Sequence, residues 1–212
     1  MAKLLRVWGH PEVKDNLQLK ADFSLVQELN KVVIQALWGA QLFQMAVRPK
    51  IISPAIFSKY EPGMKYGTHI DIALMGGENY MMQTDISVTM FLSPASIYTG
   101  GELVIESPQG EPSVKLDAAA LAVYPSTSLH RVELVTQGVR FAAVSWVQSL
   151  SRDAHQREIL LDLETAGQSI FEKHGKTPEF DFICNKFTNF LRLWADVLSC
   201  LYPFYCPLIS VW

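Results

Sequence analysis

Seven short runs rich in β-branched and aromatic residues follow one another between Arg48 and Gln148: "IISPAIFSKY", "ISVTMFL", "GELVIE", "PSVKL", "AALAVY", "HRVELV" and "VRFAAVSWV". Turn formers separate them. Strands of this length and spacing predict an antiparallel sandwich or barrel. Helical patterns flank this centre. From Asp22 to Leu37, the residues Leu25, Leu29, Val32, Val33 and Ala36 recur at helical spacing, with Ser24 and Gln27 as a capping box and Gly39 at the C-terminus. After Ser151, Ile159, Leu160 and Leu163 mark one helix, and Phe182, Ile183, Phe187, Phe190, Leu191, Trp194 and Val197 mark another, with Thr177-Pro178 between them. The aromatic stripe of the second is expected to pack on the sheet. The chain therefore divides into an N-terminal helical segment (1–47), an all-β centre (48–150) and a C-terminal helical extension (151–212), within what 212 residues allow for one domain.

With 49% hydrophobic and 18% charged residues the chain has enough apolar mass for a core, which excludes a disordered or fibrous class. A net charge of -3 without any Lys/Arg cluster argues against a general nucleic-acid binder. Cys184, Cys200 and Cys206 show no C-x-x-C spacing, so neither a disulfide framework nor a zinc knuckle is suggested. The opening "MAKLLRVWGHPEVKDNLQL" lacks the apolar core of a signal peptide, and the expected location is the cytoplasm. The uncharged stretch Val197 to Trp212 is short for a bilayer span and is interrupted by Pro203 and Pro207. It is expected to pack back on the domain or on a second copy, forming a homodimer, rather than to enter a membrane.

The chemistry is concentrated in "KYGTHIDIALMG", where His69 and Asp71 stand two residues apart among apolar and small residues. In an extended segment such residues project from the same face. His130, delivered by the turn-like "YPSTSLH", is the candidate third partner, whereas His10, His155 and His174 lie in less apt surroundings. Two imidazoles and one carboxylate on one side of a metal form the facial triad of non-haem Fe(II) oxygenases, which leaves open positions for co-substrate and dioxygen. H-x-D alone is weak, and a hydrogen-bonded pair or a solvated turn is the ordinary alternative. Arg140 adds to the pattern. If Gln137-Gly138 is a turn, His130 and Arg140 stand on neighbouring strands of one hairpin, and a buried arginine there requires an anion such as a dicarboxylate.

The blocks Y-E-P-G-M-K-Y-G-T-H-I-D (Tyr60 to Asp71), T-D-I-S-V-T-M-F-L (Thr84 to Leu92), G-G-E-L (Gly100 to Leu103), Y-P-S-T-S-L-H (Tyr124 to His130) and G-V-R (Gly138 to Arg140) resemble the PKHD-type hydroxylases. These are bacterial relatives of prolyl and lysyl hydroxylases in the Fe(II)/2-oxoglutarate dioxygenase superfamily. The likeness runs from "DNLQL" through "WVQSLSRD" to about Asp196. It implies a mainly β fold with flanking helices and a double-stranded β-helix, or jelly-roll, core. It further implies Fe(2+) on His69, Asp71 and His130, and 2-oxoglutarate on Arg140, with L-ascorbate as an accessory reductant. By spacing from His69, Tyr60 would touch the co-substrate and Tyr66 the substrate pocket, with Ser87 or Thr89 adding a hydroxyl to the co-substrate and Trp146 facing substrate. The activity implied is hydroxylation of a prolyl- or lysyl-type side chain in a peptide, or of a small metabolite, with O2 consumed and succinate and CO2 released. A catalytically silent protein that binds iron or 2-oxoglutarate and acts through a partner is the alternative, and a metal-free interaction module is a third reading. Two positions depart from the family pattern: Gln83, where members often carry a basic residue, and Ile72, where many carry Asn.

Overall fold

In the strand Ile86–Phe91, Ile86 and Val88 lie in an apolar cluster while Ser87 and Thr89 face the other way and are still buried. Such a strand is covered on both faces, and the rest of the molecule shows how. The computed structural model describes residues 14–19, 24–77 and 80–197. Its strands are β1 (Lys14–Asp15), β2 (Leu17–Gln18), β3 (Pro49–Ile52), β4 (Ile56–Tyr60), β5 (Lys65–His69), β6 (Leu74–Gly77), β7 (Tyr80–Gln83), β8 (Ile86–Phe91), β9 (Tyr98–Gly100), β10 (Leu103–Ile105), β11 (Ser113–Val114), β12 (Leu121–Pro125), β13 (His130–Val132), β14 (Val135–Gly138) and β15 (Arg140–Ser149). The helices are α1 (Ser24–Gly39), α2 (Gln41–Val47), α3 (Ala154–His174) and α4 (Pro178–Trp194).

One sheet runs β1-β5-β13-β10-β11 and the other β12-β8-β15-β4-β2, with β3 also on β15, and every pairing is antiparallel. The two sheets enclose a cavity lined from both sides, giving a mainly β fold with flanking helices and a jelly-roll core. The period-two rule assigns the faces of the larger sheet. Phe57, Val88, Ala143 and Val147 point outward and pack with Val26, Val33, Leu37, Phe43 and Val47 of α1 and α2. Ser58, Tyr60, Thr89, Arg140, Ala142, Val144 and Trp146 point inward. Each fully buried aliphatic side chain in such a layer contributes about 1.5–3 kcal/mol, so the helices fix the sheet while its inner face stays free for polar groups.

Several expectations are corrected. "IISPAIFSKY" is two strands, β3 and β4, interrupted at Ser53-Pro54, where proline lacks the N–H that a ladder needs. His130 and Arg140 do not share a hairpin: β13 lies in the smaller sheet, and β15 lies in the larger one. Residues 133–138 cross between the sheets instead, tied by Glu133 N–H to Glu102 C=O (2.9 Å), by Val135 N–H to Met64 C=O (3.0 Å) and by pairing of β14 with β9. The aromatic stripe of α4 does not cover the sheet. α1 and α2 already occupy the larger sheet's outer face, so α4 packs on α3 and has no fully buried residue. It is opened by Thr177 Oγ1, which accepts from Phe180 N–H, with Pro178 in the first turn, and it ends at Trp194, before Val197. The segment up to residue 47, expected to be helical, also supplies β1 and β2, one to each sheet. The apolar tail beyond Val197, with Cys200 and Cys206, lies outside the described residues, as does His10.

Candidate active site

β5 and β13 are neighbours, and their register sets His69 opposite His130. Asp71 follows two residues after the end of β5, and donor atoms of His69, Asp71 and His130 all lie within 4.8 Å of one another. The backbone settles how the imidazoles present themselves. Nδ1 of His69 is 2.9 Å from Gly67 C=O, and Nδ1 of His130 is 3.0 Å from Ser128 C=O. A carbonyl oxygen can only accept, so each Nδ1 carries the proton and each Nε2 keeps a free lone pair. Burial, then the neighbouring His130, pushes the His69 imidazole down to about 4, which keeps it neutral. Ser87 Oγ donates to Asp71 Oδ2, and Ser126 Oγ lies 2.8 Å from Ser87 Oγ, so a serine pair orients the carboxylate. A donor set of two neutral imidazoles and one carboxylate fits Fe(II).

Aromatic rings frame the triad. Tyr66 stacks on His69 with centroids 3.7 Å apart, and Tyr124 meets His130 edge-on at 5.0 Å. Burial, reinforced by Asp71, pushes the Tyr66 hydroxyl up to about 12, so it stays protonated. The cavity has a volume of about 490 Å³.

Arg140, the first residue of β15, pairs with Tyr60 across the sheet and is 1% exposed. Its Nε and Nη2 make no well-formed hydrogen bond, the Tyr98 hydroxyl being the neutral group that acts on the guanidinium, and it forms no ion pair among the described residues. The rings of Tyr60 and Phe91 flank it at 5.1 and 5.4 Å. Burial pulls its pKa down and the hydroxyls of Tyr60, Tyr98 and Tyr124 pull it back, but a guanidinium stays charged in proteins. A buried, unpaired cation facing a cavity calls for an anion from outside.

Of the other residues singled out in the sequence, Tyr60, Tyr66, Thr89 and Trp146 line the cavity, and Trp146 Nε1 is buried there without a partner. Ser87 is not among the lining residues, because its hydroxyl is turned to Asp71. Gln83 and Asp71 line a separate cavity of about 410 Å³, together with Asp85, Arg152 and Arg157. Ile72 lines the main cavity as an apolar wall and also presents its carbonyl to Thr84 Oγ1.

Residues 55–148 match the family described as the 2OG-Fe(II) oxygenase superfamily. A PKHD-type hydroxylase of Synechococcus sp. (strain JA-2-3B'a(2-13)) is 50% identical over 190 residues, covering 90% of this chain and 85% of the relative. One from Gloeothece citriformis (strain PCC 7424) is 52% identical over 194 residues, covering 92% and 87%. The chain belongs to the PKHD-type hydroxylases. Among solved structures, a prolyl-4-hydroxylase of Pseudomonas putida matches with a TM-score of 0.44 and 17% identity, covering 66% of this chain and 74% of that one. The family match and the identity with these relatives make the chain a 2-oxoglutarate-dependent dioxygenase, a class that uses Fe(2+) and 2-oxoglutarate. No helix of the described residues is long and apolar enough to cross a membrane.

Three residues of the hydroxylase's cavity wall escaped sequence reasoning: Lys14, Asn16 and Gln18. Asn16 Nδ2 donates to Tyr60 Oη at 2.8 Å, and Gln18 Nε2 lies 3.5 Å from Ser58 Oγ. For Asn16 and Gln18 the upstream block "DNLQL" was the available signal, since it lay within the family likeness but outside any strand pattern long enough to place it; Lys14 stands just before that block. Tyr98 was also missed. Its hydroxyl is buried and acts on the Arg140 guanidinium from outside the cavity lining.

Proposed function

We propose that this chain hydroxylates an organic substrate at the expense of 2-oxoglutarate and O2, releasing succinate and CO2, with His69, Asp71 and His130 holding Fe(2+) and Arg140 holding the far carboxylate of 2-oxoglutarate. The observation that carries this reading is Arg140, fully buried and charged, with two unpartnered N–H groups, in the same cavity as the triad. Its planar fork suits bidentate binding of a carboxylate. Fe(2+), when bound, supplies the activation of dioxygen that side chains cannot perform.

The protein's part is placement. The His69 and His130 Nε2 lone pairs are aimed by the Nδ1 hydrogen bonds, and Asp71 is aimed by Ser87. Tyr60, held by Asn16, and Thr89 line the same cavity and offer hydroxyls to the co-substrate. Val144, Ala142, Leu103 and Val132 make the walls apolar, which limits water around the reacting groups. L-ascorbate serves as the reductant that returns oxidised iron to Fe(2+). The substrate is a prolyl- or lysyl-type peptide side chain or a small metabolite, and a homodimer through the apolar tail in the cytoplasm completes the proposal.

Anaerobic titration with Fe(II) and 2-oxoglutarate tests it. The visible absorption of an Fe(II)-bound α-keto acid is expected in the wild type and lost in His69→Ala, and Arg140→Met should need at least tenfold more 2-oxoglutarate. With a turned-over substrate, product mass rises by one oxygen and succinate appears in equal amount. An absorption band that survives in His69→Ala would refute the assignment.

A further inference from the structure

The cavity holds a second cation that the proposed chemistry leaves unmatched. Lys14, Asn16 and Gln18 alternate along one extended run, so their side chains share a face, and all three line the cavity. β1 pairs with β5, setting Lys14 opposite Tyr66, and Lys14 Nζ stands 5.1 Å from the centre of the Tyr66 ring. Tyr66 in turn stacks on His69. The ammonium therefore lies one ring away from the triad, on the edge strand of the smaller sheet, whereas Arg140 belongs to the larger sheet.

The neighbours of Lys14 on the strap are committed. Asn16 is bonded to Tyr60, and Gln18 reaches Ser58. Lys14 makes no hydrogen bond or ion pair among the described residues; Asp71, the carboxylate that acts on it at longer range, belongs to the triad, and the contact of Lys14 with the Tyr66 ring does not neutralise charge. The formal charges then decide. With both imidazoles neutral as ligands, Fe(2+), Arg140 and Lys14 bring four positive charges to the cavity, and 2-oxoglutarate and Asp71 bring three negative ones. One positive charge is left over, and with Arg140 on the co-substrate and Asp71 on the metal it falls to Lys14, exposed at the rim of the cavity in which the substrate must lie. Arg140 suits the co-substrate because it is buried and forked, and Lys14 suits a point contact at the rim.

We infer that Lys14 recognises a carboxylate on the substrate, so that the molecule hydroxylated here carries an acidic group near the carbon presented to the triad. This rests on the hydroxylase reading above. The carboxylate can belong to a free small acid or to an acidic side chain within a peptide.

The test uses full-length protein loaded with Mn(II) and saturating 2-oxoglutarate, a combination without turnover. The probes are the α-amides of N-acetyl-aspartate and N-acetyl-glutamate, whose one carboxylate is the side chain's, and the blocked tripeptides acetyl-Gly-Asp-Gly-amide and acetyl-Gly-Glu-Gly-amide, each beside its Asn or Gln counterpart. Paramagnetic broadening of the probe's proton signals is measured. At least one acid should broaden saturably at a concentration about tenfold or more below its amide counterpart, the scale of one lost charged contact. Lys14→Met, which keeps an apolar stem over Tyr66, should erase that preference, and Lys14→Arg should retain it. Broadening of the acetylated amino acids alone identifies a small acid, and broadening of the tripeptides alone identifies an acidic peptide. The inference is overturned if the wild type forms the Fe(II)–2-oxoglutarate absorption yet prefers no acid over its amide, or if Lys14→Met keeps the preference. It is equally overturned if Lys14→Met weakens 2-oxoglutarate binding as much as Arg140→Met does, which would assign Lys14 to the co-substrate. Absence of the absorption in wild type is a different failure, since it removes the hydroxylase reading itself.

Discussion

Asp71 has to present one oxygen in a fixed direction while its neighbour Ile72 offers no side-chain hydrogen bond to help. Ser87 does so instead, and because Ser87 has a single proton, which goes to Asp71, the 2.8 Å contact with Ser126 must be donated by Ser126. Partners of this kind are worth about ten- to hundredfold in metal affinity. Ser87→Ala should weaken Mn(II) binding by that factor, read from the EPR signal of free Mn(II), while the melting temperature moves little; unchanged affinity would show that Asp71 is held by other means. His69 makes a second prediction, for metal-free protein. Its pKa falls from 6.5 to about 4, so between those values the unfolded chain binds a proton that the folded chain refuses. Stability rises with pH wherever the unfolded state binds more protons, so acidification from 6.5 to 4 should cost up to roughly 3 kcal/mol. Urea midpoints across this window should fall in wild type and flatten in His69→Ala, and parallel curves would contradict the shift. His69, Asp71 and His130, which the structure brings together, and the buried Arg140 were legible because such types are rare in apolar β surroundings. Lys14 and Asn16 were not, because a polar residue in or beside a two-residue strand gives no pattern, and its importance comes only from the strand across from it.

At the scale of elements, the strands β8, β12 and β15 were readable because they run for five to ten residues and are rich in β-branched, aromatic and small side chains, which is long enough to give a pattern. β1, β2 and β9 are two or three residues long and are held in place by partners distant in sequence. The crossing between the sheets was misread for the same reason: Gln137-Gly138 has turn chemistry, but here it continues a strand against β9. Gly138 has φ +73, and a Cβ there would stand 2.0 Å from Ile97 O and 2.8 Å from Tyr98 Cα. Positive φ alone costs a non-glycine residue about 1–3 kcal/mol, and forced repacking costs about as much again. Gly138→Ala should therefore lose about 3 kcal/mol or more, a drop of about 6–12 °C in a chain of this size. Because β15 begins two residues later at Arg140, affinity for 2-oxoglutarate should fall in the same variant. A melting curve matching that of the wild type would mean that the crossing can move aside.

Across the whole molecule, the helices divide into two groups with different duties. α1 and α2 close the outer face of the larger sheet, and removing them would expose Phe57, Val88, Ala143 and Val147. α3 is tied to that layer through Leu160, which is fully buried, through packing on α2 and through the Arg48–Glu164 ion pair. α4 stands one layer further out. It packs on α3, its Phe187 ring lies 5.1 Å from the Arg48 guanidinium, and just beyond it Asp196 N–H reaches Leu150 C=O at 2.7 Å. None of its residues is fully buried and none lines the main cavity. Its apolar stripe announced a helix correctly but could not announce its partner, because a stripe records that a face is covered and not by what. A chain ending after Gly175, where φ +68 already closes α3, should therefore keep both sheets and the triad while exposing part of α3. Its melting temperature should fall, since the half-buried Ile183, Phe187 and Leu191 are lost, yet the Fe(II)–2-oxoglutarate absorption should reach half its height within about twofold of the wild-type 2-oxoglutarate concentration, a difference of less than 0.5 kcal/mol. A tenfold loss would place α4 in the support of the site, acting through Arg48 and the end of β15, and would make the outer helix layer part of the machinery that holds the cavity open.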